Sequence, residues 1–374
     1  MKTTAAVVHS LHSPFVVEEI ELPDLQPADV LVRIVAVGIC HTDIGSRDGQ
    51  LPAPFPAIFG HEGAGVVERV GEHVRKVAPG DHVVIAPDSD GTCGQCASGE
   101  PMYCEHFLDL NFQAGTNGRT ARLADGRSAF IKYFGQSSFS HYAVAGERNV
   151  VKVGKDLPLK LLGPLGCGIQ TGAGTVMNGL RPQPGSSIAI LGIGSVGMAA
   201  ILGSVVSGCA TIIAVARNDS RLELASRLGA THVVNTTRTP DVGRAIRAIA
   251  GRGVDFIVDA AGADTLIGRA LDGLARRGTL ALVAAAPSAE RKLELPWSRV
   301  LVQGQAVRGF VEGSSIPDVF IPRLIDLHAQ GRFPFDKLVR FYPFDEINRA
   351  VEDQRNGVTI KPILEVSATS KEAS

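Results

Sequence analysis

Seven residues of this chain are of the types that hold zinc, and their spacing sorts them into two groups. Cys40, His61 and Cys167 are scattered, as ligands from separate loops would be. Asp90, Cys93, Cys96 and Cys104 are compact, reading D-x2-C-x2-C-x7-C. Together the groups use five of the six cysteines. Two thiolates and one imidazole leave a corner of a tetrahedral zinc ion open, as catalysis requires. Four protein ligands close it, as a structural site requires. A single buried cysteine is more often a small hydrophobe, so it is the grouping that points to metal. The looped set carries an oddity: the Asp90 carboxylate is a harder, less covalent ligand than a thiolate. An Asp-Cys-Cys-Cys site is expected. An empty loop and His106 as an alternative fourth ligand are the competing readings.

A second chemistry is written in Gly192-x-Gly194-x-x-Gly197, which follows the strand-like Ser187–Leu191 and opens the helix-like Ser195–Val206. Gly192 allows a tight turn, Gly194 lets pyrophosphate approach the backbone, and Gly197 lets helix pack on strand. The helix N-terminus then offers free N–H groups to the phosphates. A dinucleotide cofactor is therefore expected. For NAD, the second strand should end in an acid that accepts from the ribose 2′-hydroxyl. That position falls on Ala216, and Arg217 follows. Alanine does not repel a 2′-phosphate and arginine can grip one. NADP is thus expected over NAD, with Asp219 turning back to the ribose as the alternative.

The elements that must carry these residues change character along the chain. Up to about Val153, short β patterns (Val30–Val37, Gly65–Val70, His82–Ile85) are broken by Gly and Pro, which predicts an irregular β-barrel-like domain. From Leu162 strands and helices alternate. Thr211–Ala216 leads to Ser220–Leu228, His232–Val234 to Val242–Ala250, and Val254–Asp259 to Thr265–Leu274, with Thr279–Val283 after. This is the pattern of a doubly wound parallel sheet. The tail from about Phe310, with a helix over Pro317–Gln330 and a strand over Lys361–Val366, is expected to return to the first domain. Leu110–Ser128 reads as a long loop or lobe edge. The expected division is 1–168, 169–309 and 310–374, in an α/β fold.

Bulk properties narrow the function. A length of 374 residues suits two domains. A net charge of −1 gives no reason to propose a nucleic-acid or membrane-surface partner. The cysteines are too few and wrongly spaced for a disulfide framework, which favours a reducing, cytoplasmic setting. The N-terminus has no signal-peptide pattern. Pro182–Ala216 lacks any charge, yet its glycines and β-branched runs suit a buried strand–helix–strand better than a membrane span.

The stretches Gly38-Ile39-Cys40-His41-Thr42-Asp43, Gly60-His61-Glu62-Gly63-Ala64-Gly65 and Gly166-Cys167-Gly168 resemble the zinc-dependent medium-chain alcohol dehydrogenases over nearly the whole chain. Ser46-Arg47-Asp48-Gly49-Gln50 is most similar to the aryl- or benzyl-alcohol branch. The resemblance implies a GroES-like catalytic domain, a Rossmann domain and a cleft between them. It implies that Cys40, His61 and Cys167 hold the catalytic zinc, that Asp43 orients the imidazole, and that Glu62 is an acid behind the metal. Thr42 would take the alcohol proton, and hydride would pass to the nicotinamide. Where many relatives finish the proton relay with a histidine, this chain has Gly45, which leaves water or His41. His41 is otherwise expected at the cofactor pyrophosphate. Lys361 would be a further pyrophosphate contact, and Thr171 would lie near the nicotinamide. Leu51, Ala86, Tyr133 and Phe134 are candidates for a roomy apolar pocket taking aromatic or allylic primary alcohols or their aldehydes. A homodimer or homotetramer, joined near Ala306–Gly309, is implied, as are two zinc ions per subunit. The alternatives are a dehydrogenase of thiol–formaldehyde adducts, a zinc-free quinone or enoyl reductase, which would lack the cysteine–histidine set, and a non-catalytic protein on the same fold.

Overall fold

The computed structural model describes residues 1–112, 119–284 and 292–366. The chain forms two compact units: Met1–Cys167 with Ile316–Arg323 and the residues from Asp336 onward, and Gly168–Ser315 with Leu324–Phe335. The tail expected to return as one piece from 310 is therefore divided. Local packing explains part of this. A Cβ on Gly174 would lie 2.6 Å from the Gly313 carbonyl oxygen, and Thr171 Oγ1 donates to Glu312 Oε2 at 3.0 Å. These contacts tie 310–315 to the helix Gly168–Gly174.

In the first unit, strands Lys2–Val8, Val16–Glu21, Thr120–Leu123, Ser128–Phe130 and Ala57–Ile58 close a barrel. A larger sheet runs Val150–Val153, His82–Ile85, Glu62–Val70, Asp29–Gly38, Lys361–Glu365, Val339–Pro343, with Tyr142–Gly146 also on Asp29–Gly38. The strand Asp29–Gly38 is buried along most of its length. Its near-continuous apolar run fits a strand covered on both faces. Val30, Val32, Ile34 and Val37 pack with Phe59, Tyr133 and Phe139 in one core. The stretch Leu110–Ser128 is not simply a loop. Thr120–Leu123 and Ser128–Phe130 pair antiparallel around a turn in which Gly126 takes a positive φ of 86°, a conformation glycine adopts without strain. Residues 113–118 of that stretch lie outside the described residues.

The second unit is built on a parallel sheet of β1 (Ser187–Leu191), β2 (Thr211–Ala216), β3 (His232–Asn235), β4 (Val254–Asp259), β5 (Leu274–Leu282) and β6 (Ala306–Gly309), in the order 3-2-1-4-5-6. Helices α1 (Ser195–Val206), α2 (Asp219–Arg227) and α3 (Val242–Ala250) connect or flank the strands. The uncharged stretch Pro182–Ala216 is β1, α1 and β2. Most of it is buried, and among the described residues no helix is long and apolar enough to cross a membrane. The helix expected over Thr265–Leu274 ends at Ala270 and gives way to a tight turn, Leu271–Gly273, so β5 starts at Leu274 rather than Thr279.

Candidate metal centres and nucleotide site

The scattered donors meet. Ligand atoms of Cys40, His61, Glu62 and Cys167 all lie within 4.8 Å of one another, and all four residues are buried. Ligands on a tetrahedral zinc ion stand roughly 3.3–3.8 Å apart, given bonds of about 2.0–2.3 Å. His61 Nε2 and Cys167 Sγ are 3.2 Å apart, so the donor set fits such an ion.

Local structure aims each donor. Cys40 is the N-cap residue of the helix His41–Arg47. Its N–H donates to Asp43 Oδ2 at 2.9 Å. The other Asp43 oxygen accepts from Gly60 N–H at 3.0 Å and bonds His61 Nδ1 at 2.8 Å. One buried carboxylate thus fastens two donor loops. It also assigns the Nδ1 proton and leaves Nε2 for a metal. Gly60 has a φ of +89°, and a Cβ there would lie 2.4 Å from the Phe139 backbone N. Only glycine fits the turn that points His61 inward. Phe134 stacks on the imidazole, with centroids 4.4 Å apart. Burial opposes charge on His61, but Asp43 outweighs it and holds the imidazole well above its ordinary pKa. Cys167, against burial, pulls the Cys40 thiol well below its ordinary range; Lys361 and His61 add to the shift.

Lys361 corrects the sequence reading. It is fully buried. Its Nζ donates to Glu62 Oε1 and Oε2 at 2.7 and 2.8 Å and to the Ile39 carbonyl at 3.1 Å. A side chain held there has no exposed surface and is taken up by Glu62. Burial alone would depress its pKa; Glu62 overrides this and raises it. Space for the pair comes from Gly38, which lies opposite Glu62 in the ladder. A Cβ on Gly38 would fall 2.0 Å from Glu62 Oε2.

The other predicted residues fall as follows. Thr42 is half-buried, with Oγ1 3.5 Å from Cys40 Sγ. His41 is exposed at the first helical position. Gly45 is buried, and a Cβ there would face Gln50 and Leu51. Leu51 is half-buried, while Ala86 and Phe134 are buried. Tyr133 is fully buried and does not serve as an open pocket wall. Its hydroxyl donates to the Thr42 carbonyl at 3.0 Å and bonds Ser46 Oγ at 2.8 Å, bracing the helix that carries Thr42. Gln136 was missed: its Nε2 donates to the His61 carbonyl at 3.0 Å. No sequence signal marks a glutamine for that task.

The looped donors also converge. Ligand atoms of Asp90, Cys93, Cys96 and Cys104 lie within 4.8 Å of one another. Backbone N–H groups of Cys96 and Glu105 point at Cys93 Sγ, each at 3.5 Å, and Asp90 N–H points at Cys104 Sγ at 3.4 Å. The two N–H groups at Cys93 favour its thiolate, the form that binds metal, while burial pushes the Cys96 and Cys104 thiols up; the convergence of all four donor atoms is what fits zinc. His106 is not the alternative fourth ligand. Its Nδ1 bonds Asp90 Oδ2 at 2.5 Å. The N–H of Cys93, with His106 and then Thr92, holds the Asp90 carboxyl far below the usual carboxylate range.

At the nucleotide motif each glycine has its own reason. Gly192 has a φ of +80°, and a Cβ there would lie 2.8 Å from the Ala261 side chain. A Cβ on Gly197 would lie 1.9 Å from the Gly192 carbonyl oxygen. A Cβ on Gly194 would meet no atom of the other described residues within 4 Å, its chain neighbours aside. The bare backbone there is open to approach, as a pyrophosphate would require. Ala216 ends β2, Arg217 is exposed, and Thr171 is buried against Glu312.

Comparison with known proteins agrees with both halves of this architecture. Residues 26–155 match the alcohol dehydrogenase GroES-like domain, and residues 195–330 match the zinc-binding dehydrogenase family. Geraniol dehydrogenase of Castellaniella defragrans is 42% identical over 362 residues, 96% of each chain. A crystal structure of an alcohol dehydrogenase zinc-binding domain protein from Burkholderia ambifaria is 47% identical, with a TM-score of 0.95 over 98% of this chain and 100% of that one. Benzyl alcohol dehydrogenase from Acinetobacter calcoaceticus is 42% identical, with a TM-score of 0.92 over the same shares. The chain belongs to the zinc-binding medium-chain alcohol dehydrogenases, a family of oxidoreductases. Membership implies zinc, a nicotinamide cofactor and a small-molecule substrate.

Proposed function

We propose that this enzyme interconverts primary aryl or allylic alcohols and their aldehydes, with NADP preferred over NAD. The observation that carries the reading is the meeting of Cys40, His61 and Cys167 with Asp43 fixed on the far imidazole nitrogen. A zinc ion on those three side chains supplies the Lewis acidity that lowers a hydroxyl pKa or polarises a carbonyl. Asp43 holds the Nδ1 proton and aligns the ring, leaving Nε2 to face the metal. Thr42 Oγ1, beside Cys40 Sγ, receives the alcohol proton and passes it on to water or His41, since Gly45 has no side chain to accept it. A nicotinamide cofactor would supply the hydride chemistry, and Thr171 stands in the unit that carries the dinucleotide motif.

The substrate class draws support from two relatives, one named for geraniol, an allylic alcohol, and one for benzyl alcohol. Phe134 over His61, with the small Ala86 and Leu51, offers apolar surface of the kind such substrates favour. The looped set is read as a second, structural zinc, giving two per subunit. A homodimer or homotetramer through the edge strand Ala306–Gly309, working in the cytoplasm, completes the reading.

The test is a spectrophotometric panel of benzyl alcohol, geraniol, ethanol and their aldehydes with NAD and NADP side by side. Benzyl alcohol and geraniol should exceed ethanol in kcat/KM, and Thr42→Ala should lower kcat by roughly 10²–10⁴-fold. A zinc-replete protein inert on the whole panel would overturn the activity. A tenfold preference for NAD would overturn the cofactor assignment.

A further inference from the structure

The ends of β2 and β3 hold a charge arrangement that the dinucleotide motif does not account for. The two strands run parallel with Ala216 beside Asn235, so the residues after each strand become neighbours. Asp219, the acid nearest the end of β2, does not stand open. Arg238 holds it bidentately, with Nη1 to Oδ2 at 2.9 Å and Nη2 to Oδ1 at 2.6 Å. Asn235 Nδ2 donates to the same Oδ1 at 2.7 Å and to the Arg217 carbonyl at 3.2 Å. Arg217 itself is exposed, and its guanidinium has no hydrogen bond or ion pair among the described residues.

Three consequences follow from the chemistry of these groups. An Asp219 carboxylate gripped by two donors has little capacity left to accept from a ribose 2′-hydroxyl. Its negative charge is cancelled, so it does not repel a 2′-phosphate. The patch keeps one uncompensated positive charge, that of Arg217. Arg238 is 66% exposed and borders a cavity of about 700 Å³. Its guanidinium carries further N–H donors beyond the two spent on Asp219, so it can stay paired there and still face a phosphate dianion.

We infer that Arg238 is a specificity-determining residue: it masks Asp219 and, together with Arg217, makes the ends of β2 and β3 a site for a ribose 2′-phosphate rather than a 2′-hydroxyl. This rests on the NADP preference proposed above and adds a mechanism to it. The sequence shows Asp219 only as a potential ribose acceptor; Arg238, nineteen positions further on, reverses that role.

The test uses the full-length protein and two adenosine fragments, 2′,5′-ADP and 5′-AMP, titrated calorimetrically. Wild type should bind 2′,5′-ADP at least about tenfold more tightly than 5′-AMP. Arg217→Ala should weaken 2′,5′-ADP alone. Arg238→Ala should weaken 2′,5′-ADP about tenfold or more and also strengthen 5′-AMP several-fold, because Asp219 is released to accept the hydroxyl. Adding Asp219→Asn to Arg238→Ala should erase that gain. The opposed shift is the signature, since mere loss of a positive charge does not improve 5′-AMP binding. A wild type that prefers 5′-AMP would sink the NADP reading; if Arg238→Ala then raised 5′-AMP affinity further, the masking of Asp219 would still stand. Arg238→Ala with both affinities within twofold of wild type overturns the inference.

Discussion

The two metal-donor clusters of the first unit use nearly the same chemistry under opposite constraints. The set at Cys40, His61 and Cys167 is fully enclosed, and its members come from positions far apart in the chain. The set at Asp90, Cys93, Cys96 and Cys104 is half-exposed and spans one short loop. The scattered set is fastened by side chains: Asp43 on His61 and Cys40, Lys361 on Glu62, Phe134 on the imidazole. The looped set is fastened mostly by its own backbone N–H groups. A local loop can organise itself. A buried open-cornered site needs support from the surrounding fold, because each charge taken out of water must be matched by a partner.

Five experiments can break or sharpen that contrast. The largest effect is expected for Cys40→Ser. Loss of the Lewis acid removes several kcal/mol of transition-state stabilisation, about a thousandfold or more in kcat/KM. One zinc equivalent should disappear by metal analysis while the melting temperature changes little. Lys361→Met comes next. It strands the buried Glu62 carboxylate, and breaking such a pair costs roughly 3–5 kcal/mol of stability by denaturant titration. A loss under 1 kcal/mol would show that Glu62 is not held as a charge by Lys361. Asp43→Asn should weaken zinc affinity or activity by about 10–100-fold, measured by competition with a chelating dye. The smallest effect on activity is expected at the loop. Cys93→Ala/Cys96→Ala should lose one zinc equivalent and lower the melting temperature, with kcat falling far less than for Cys40→Ser. A chelator series on wild type should remove the loop's metal first, ahead of activity. Simultaneous loss of both metals would erase the distinction drawn here.

Much of the fold was legible because its local signals agreed. Strands β1, β2 and β4 and helices α1 and α3 lie where apolar runs, glycines and alternation place them. The glycine motif was legible because Gly192 and Gly197 answer steric demands of the turn itself. Misreadings occurred where a partner distant in sequence decided the outcome. Lys361 reads, by resemblance, as a pyrophosphate contact near the end of the chain. It is instead a buried counter-ion, because Lys361–Glu365 pairs with the end of Asp29–Gly38 and places it behind Glu62. Tyr133 reads as a pocket wall but braces the Thr42 helix. His106, the alternative fourth ligand, bonds the Asp90 carboxylate instead.

By itself the sequence determined which atoms could hold zinc and where a dinucleotide could approach the backbone. Those properties belong to residue type and short spacing. Only the tertiary structure decided which charge neutralises which. Glu62 finds Lys361, and Asp219 finds Arg238, through strand pairings and chain turns that no local pattern encodes. Burial and Coulomb attraction act on distance in space, not along the chain.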